Sequence, residues 1–185
     1  MQYFKDGTGR VHVFDDDVKI EAAPDGTTTA TAPNGSPLNA PDDLTPYTPP
    51  KPTAADQLAA AQSAKIAEIN AACEAAIVSG FTSDALGKTY TYRSRRDDQV
   101  NLMGAAMSGT DTQFKCADAD GLYAMRDHTA AQIKQVFADG VARKLALIEQ
   151  SNALTDEVNA IAPDDDAPIE AVHAITWSAP TKASA

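Results

Sequence analysis

Three histidines, two cysteines, two runs of three aspartates and one dense basic spot are the side chains of this sequence that could carry chemistry. None stands at a spacing that chemistry needs. His12, His128 and His173 lie far apart, and no HExxH string pairs two imidazoles on one helix face for a zinc ion. His128, in Asp127-His128-Thr129 ahead of a helix, reads as a capping or packing residue rather than a ligand. Gly7-Thr8-Gly9 lacks the third glycine and the following helix of a dinucleotide site. Neither a phosphate-loop GxxxxGK[ST] nor a nucleophile-elbow GxSxG occurs. Asp15-Asp16-Asp17 and Asp164-Asp165-Asp166 offer oxygen ligands for a hard cation, but consecutive aspartates point different ways and lack the alternation, glycine and distal glutamate of a calcium loop. They read as charged turns, and Asp118-Ala119-Asp120-Gly121, which also lacks that glutamate, reads as a hairpin turn. Arg93-Ser94-Arg95-Arg96 is followed at once by Asp97-Asp98, which favours local ion pairs at a helix start over a phosphate site. Cys73 and Cys116 form no CxxC pair and read as two buried free thiols. The expectation is a non-enzymatic protein with no catalytic residues, no cofactor and no metal.

Charge narrows the partners. The 185 residues carry 15 Lys+Arg against 26 Asp+Glu, a net charge of -11. A nucleic-acid module needs a basic face to displace counterions from phosphates, so nucleic acid is excluded as an expected partner. The same repulsion disfavours an anionic membrane surface. Mean hydropathy is -0.30, and no apolar run approaches the ~20 residues that span a bilayer. Met1-Gln2-Tyr3-Phe4-Lys5-Asp6 does not read as a secretory signal, so a cytosolic protein that leaves only inside an assembly is expected.

The elements that would position any site fall into an α+β arrangement, predominantly α. Residues 1–32 read as a small β unit: Tyr3-Phe4-Lys5 and Arg10-Val11-His12-Val13-Phe14 flank a glycine turn, Val18-Lys19-Ile20-Glu21 alternates, and Pro24-Asp25-Gly26 turns into a threonine run. Its apolar residues are too few to offset backbone ordering among themselves, so Tyr3, Phe4, Val11, Val13 and Phe14 are expected to dock on another protein. Residues 33–52 hold seven prolines and read as an extended linker. Residues 53–178 read as a helical domain, and 179–185 as a tail. In that domain Thr53 caps a helix from Ala54 to Ser79, and Lys88 to Arg93 alternates as a strand. Ser94 starts a short helix with Val100, Met103 and Met107 inward, ended by Gly109. The pair Phe114-Lys115-Cys116 and Leu122-Tyr123-Ala124-Met125 makes a hairpin.

The last long helix, capped by Thr129 or Asp127 and stopped by Pro163, shows an apolar stripe at Ile133, Phe137, Val141, Leu145, Ile148, Ser151, Leu154, Val158 and Ile161. It can pair with the Ala-rich first helix as an antiparallel hairpin, leaving Val136 and Leu147 as a surplus apolar edge for a neighbouring copy in a homo-oligomer.

The blocks Ile66-Ala67-Glu68-Ile69-Asn70-Ala71-Ala72-Cys73-Glu74-Ala75-Ala76-Ile77, Gly80-Phe81-Thr82-Ser83, Arg96-Asp97-Asp98-Gln99-Val100-Asn101-Leu102, Phe114-Lys115-Cys116, His128-Thr129-Ala130-Ala131-Gln132 and Ala174-Ile175-Thr176-Trp177 follow one another in order. In them the chain from about Ala64 to Trp177 resembles a bacteriophage domain family of unknown function found in tail-fibre and tail-fibre-assembly proteins. The resemblance transfers no catalytic residue. It implies a virion tail or tail-fibre structural role with other phage tail or fibre proteins as partners, or else a cytosolic fibre-assembly chaperone absent from the particle.

Overall fold

The first hairpin closes on one carboxylate. In the computed structural model, which describes residues 1–23, 25 and 27–178, Asp6 Oδ1 accepts the backbone N–H groups of Thr8 and Arg10 at 3.0 Å and the Thr8 hydroxyl at 2.6 Å. Asp6 Oδ2 lies 2.8 Å from His12 Nε2. An aspartate folded back on its own turn fixes that turn. It joins β1 (Gln2–Lys5) antiparallel to β2 (Val11–Phe14), with Tyr3 opposite Val13 and Phe4 opposite His12. Next come β3 (Lys19–Ala22) and β4 (Thr28–Thr31), also antiparallel. Pro24 and Gly26 of the expected turn between them, and the tail 179–185, lie outside the described residues.

The proline-rich stretch is a correction to the expected linker. It supplies β5 (Pro37–Leu38), paired with β4, and β6 (Thr45–Pro46), paired with β1. Each lies at the edge of its three-stranded sheet, β3-β4-β5 and β2-β1-β6, where a proline's missing N–H costs no ladder bond. Leu44 is buried along with Phe4, Val18 and Ala30, and the Gly7 N–H donates to Asp43 at 2.6 Å. The first compact unit therefore runs Met1–Pro52 instead of ending at residue 32. Its core is thin, because those four are its buried apolar side chains among the described residues.

The second unit begins at Thr53. Thr53 and Asp56 form a capping box that starts α1 (Ala54–Val78): the Asp56 N–H donates to Thr53 Oγ1 at 3.1 Å and the Thr53 N–H to Asp56 Oδ2 at 2.8 Å. Gly80, at φ 109°, turns the chain where a Cβ would stand 2.7 Å from the Tyr92 carbonyl oxygen. Then follow β7 (Phe81–Ser83), β8 (Tyr90–Tyr92), α2 (Arg96–Ser108), β9 (Thr112–Ala117), β10 (Tyr123–His128), α3 (Ala130–Ala160) and α4 (Pro168–Ala174). The sheet is an antiparallel meander ordered β10-β9-β8-β7, and Asp118 to Gly121 make its hairpin turn. The class is α+β with helices predominating, as the residue pattern predicts.

Two cores share α3. Phe81, Tyr90, Tyr92 and Cys116 of the sheet meet Leu102 of α2 and Ile133 and Val136 of α3. Leu58 and Ile69 of α1 meet Val158 of α3, with Val172 and Ile175. At 31 residues, or about 46 Å, α3 is long because its first half covers the sheet and its second half pairs with α1. That pairing is antiparallel: Gln62 Nε2 donates to the carbonyls of Val158 and Ile161 at 2.9 and 3.0 Å, and Cys73 Sγ donates to that of Leu147 at 3.5 Å. The Gln62 bonds reinforce the end of α3, where the Val158 carbonyl otherwise accepts the Ile161 N–H at 3.4 Å.

Val136 and Leu147 are not an exposed edge. Both are fully buried within one chain, at 0 % exposure. The inward line of α3 passes through Ile133, Val136, Gly140, Leu147, Ser151 and Val158, and at Gly140 the space is filled by the Phe81 ring, whose Cζ stands 2.9 Å from where a Cβ would be. Val141 and Leu145 of the expected stripe lie off that line, exposed by 40 % and 53 %.

Candidate functional site

α2 carries two apolar lines, and the smaller one faces in. Leu102 and Ala106 are buried, whereas Val100, Met103 and Met107, expected inward, are exposed by 57 %, 44 % and 78 %. Gly109, at φ 67°, ends the helix. Between α2 and α3 opens a cavity of about 320 Å³, walled by Val100 and Met103 on one side and Phe137 and Val141 on the other. Its floor is Phe81, which reaches the α3 backbone because Gly140 has no side chain. At its lip Lys144 Nζ donates to Gln99 Oε1 at 3.2 Å. Among the described residues Lys144 has no carboxylate partner.

The first unit presents a second surface. Alternation puts Tyr3, Lys5, Val11 and Val13 on one face of the β1–β2 pair. Val11 and Val13 are exposed by 42 % and 51 %, and Lys5 Nζ sits 3.9 Å from the Tyr47 ring centroid. Phe4 and Phe14 point the other way and meet edge to face at 5.9 Å. Of the five residues expected to dock, Phe4 is buried and Phe14 half-buried inside the unit, while Tyr3, Val11 and Val13 form the outward face.

The aspartate runs, the basic spot and His128 take part in turns and cores. Asp16 takes the N-terminal ammonium at 2.6 Å, Asp165 accepts the Ala162 N–H at 2.7 Å, and Asp118 accepts the Leu122 N–H at 3.0 Å and pairs with Arg126 at 2.9 Å. The Arg93 guanidinium lies over the Tyr123 ring at 4.4 Å. His128 is buried and accepts the Tyr92 hydroxyl at Nε2. Burial pushes the Tyr92 phenol well above its ordinary value, with Cys116 beside it adding to the shift. A polar hollow beside His128 is lined by Asp111 and Asp127, and Asp111 already accepts the Ala130 N–H of α3 at 2.9 Å. That leaves the hollow acidic where a helix N-terminus would otherwise favour an anion. Ser83 donates to Asp139, a buried hydroxyl with no imidazole in its hydrogen-bond set.

Residues 60–175 match the family model of a domain of unknown function, DUF4376. The chain belongs to the DUF4376 family. The match opens inside α1 and closes at Ile175, so the four-stranded sheet, the α2–α3 groove, the first core and all of the second core but Leu58 lie within the DUF4376 domain, and the first unit lies outside it. No curated protein and no solved structure matches the chain. No helix of the described residues is long and apolar enough to cross a membrane.

The groove escapes a reading by residue size. Its signal in the sequence is the double line on α2 together with Gly140, a glycine in the middle of an otherwise strong helical pattern, which marks a close approach by another group.

Proposed function

We propose that this DUF4376 protein is a non-enzymatic bacteriophage tail or tail-fibre component that holds other proteins together in the virion, made in the host cytoplasm before assembly. The observation that carries the reading is the outward Tyr3, Val11 and Val13 face on a unit with four buried apolar side chains. Full burial of a valine is worth roughly 1.5–3 kcal/mol, so a partner covering that face adds stabilisation that the unit lacks by itself. The ordered resemblance of the C-terminal blocks to phage tail-fibre proteins supports the phage setting. Staining the proteins of purified particles tests it: a 19.4 kDa band is expected, and its absence overturns the virion role in favour of a cytosolic assembly chaperone. Removing residues 1–52, one whole compact unit, is expected to abolish incorporation while the DUF4376 domain keeps its helical circular dichroism. Normal incorporation of the truncated chain would overturn docking through the first unit.

A further inference from the structure

We propose that the groove between α2 and α3 is a docking site for an acidic amphipathic helix of a partner protein, independent of the surface on the first unit. Its shape is that of a helix receptor. Two helices form its lips, Val100, Met103 and Val141 expose apolar surface along them, and the Phe81 ring floors the gap. At about 320 Å³ the cavity lies at the small end of the ~300–1,000 Å³ range of ligand pockets, which suits the anchoring side chains of one or two helical turns. Met103 supplies an unbranched side chain that adjusts to the anchor it meets.

Charge selects the occupant. The chain has 26 acidic residues to 15 basic, yet the charged residue lining the groove is Lys144, held by the neutral amide of Gln99. Arg96 stands one helical turn before Gln99 and Val100 on α2, exposed and without an ion pair among the described residues. The nearby Asp98 carboxylate is engaged by the Arg95 N–H at 3.1 Å. Lys144 and Arg96 thus set two cations without carboxylate partners at one end of an apolar groove, in a molecule of net charge -11. An incoming helix with large apolar residues at i and i+4 and a carboxylate beside them satisfies both features. A second copy of this chain fits less well, since each copy brings a net charge of -11.

The test uses the full chain to select from a displayed library of random 16-residue peptides. Wild type is expected to enrich helix-forming sequences with spaced Leu, Phe or Trp and adjacent Asp or Glu. Lys144→Glu is expected to shift the enriched charge to Lys and Arg. Met103→Glu combined with Val141→Glu, at exposed positions that leave the fold intact by circular dichroism, is expected to weaken the synthesised wild-type winners at least tenfold in fluorescence polarisation. Val100→Glu serves as a second lip variant should that pair disturb folding. Failure to enrich such peptides, winners indifferent to the lip variants, or an enriched charge unmoved by Lys144→Glu each overturns the proposal. So does a wild-type dimer in sedimentation that the lip variants convert to monomer, since the occupant is then a second copy.

Discussion

The Tyr92 hydroxyl donates to His128 Nε2 at 2.8 Å, reaching from β8 over β9 to the last residue of β10. His128 Nδ1–H in turn donates to the Arg126 carbonyl at 2.8 Å, since a carbonyl oxygen only accepts. Both residues are nearly inaccessible, and the Phe114 ring stands 6.5 Å from each of theirs. The pair is a cross-strand tie in the core of the DUF4376 domain.

Tyr92→Phe keeps the ring and removes the donor, leaving a buried imidazole nitrogen without its partner. The expected loss is about 1–3 kcal/mol of unfolding free energy, read from urea denaturation. Its alkaline sign follows from burial, which raises the Tyr92 phenol above its ordinary 10.0. The stabilisation linked to this group is complete below that ordinary value and is lost as the pH climbs through the folded-state value, because the unfolded chain releases the proton first. Wild type is expected to lose stability above pH 10 more steeply than Tyr92→Phe, in thermal melts followed by circular dichroism.

Asp6 sets an acid limit on the first unit. The Thr8 hydroxyl, then His12, then the backbone N–H groups of Arg10 and Thr8 hold its carboxyl well below its ordinary 3.8. A depressed carboxyl stabilises the fold above its ordinary value and ceases to do so as the pH falls through the folded one. The Thr8 and Arg10 amides are expected to lose their hydrogen-bonded character on acidification, read as amide temperature coefficients by NMR. In Asp6→Ala these coefficients are expected to show no such acid dependence, having already the solvent-exposed character at neutral pH.

Leu147 separates a core role from an oligomer role. It is fully buried, and Leu147→Ala is expected to cost about 2–5 kcal/mol. Val136→Glu with Leu147→Glu places two unpaired charges in the interior and is expected to abolish the helical circular dichroism signal. A folded, smaller species in sedimentation would instead return these residues to an interface. Leu145→Ala, at 53 % exposure, is expected to stay within about 0.5 kcal/mol of wild type.

Features set by neighbours in sequence are legible in the sequence itself. Thr53 and Thr129 cap their helices, Gly109 ends α2, and Asp118 to Gly121 turn the hairpin, because each depends on a few consecutive residues. Features decided at a distance are not. β5 and β6 were hidden by prolines that disfavour central strands but pair at edges. Val100, Met103 and Met107 are the expected inward line of α2, whereas the packing against the sheet takes Leu102 and Ala106. The candidate groove follows from that same inversion: large side chains left outside become its lips.

Gly140 and Phe81 tie the groove floor to the fold and predict a reversal of sign. In most helix interiors Gly→Ala gains about 1 kcal/mol from backbone entropy. At Gly140 the new Cβ would meet Phe81 Cζ at 2.9 Å. The ring cannot easily retreat, since Phe81 is 8 % exposed and stacks on Tyr92 at 5.7 Å between centroids. Overpacking of this kind costs roughly 1–3 kcal/mol, so Gly140→Ala is expected to destabilise the wild-type chain by up to about 2 kcal/mol once the helical gain is subtracted. Phe81→Leu removes the atoms that collide, and in that background Gly140→Ala is expected to be neutral or stabilising. Four denaturation curves complete the double-mutant cycle. A coupling energy near zero would mean that the ring does not occupy the α3 position that Gly140 leaves open.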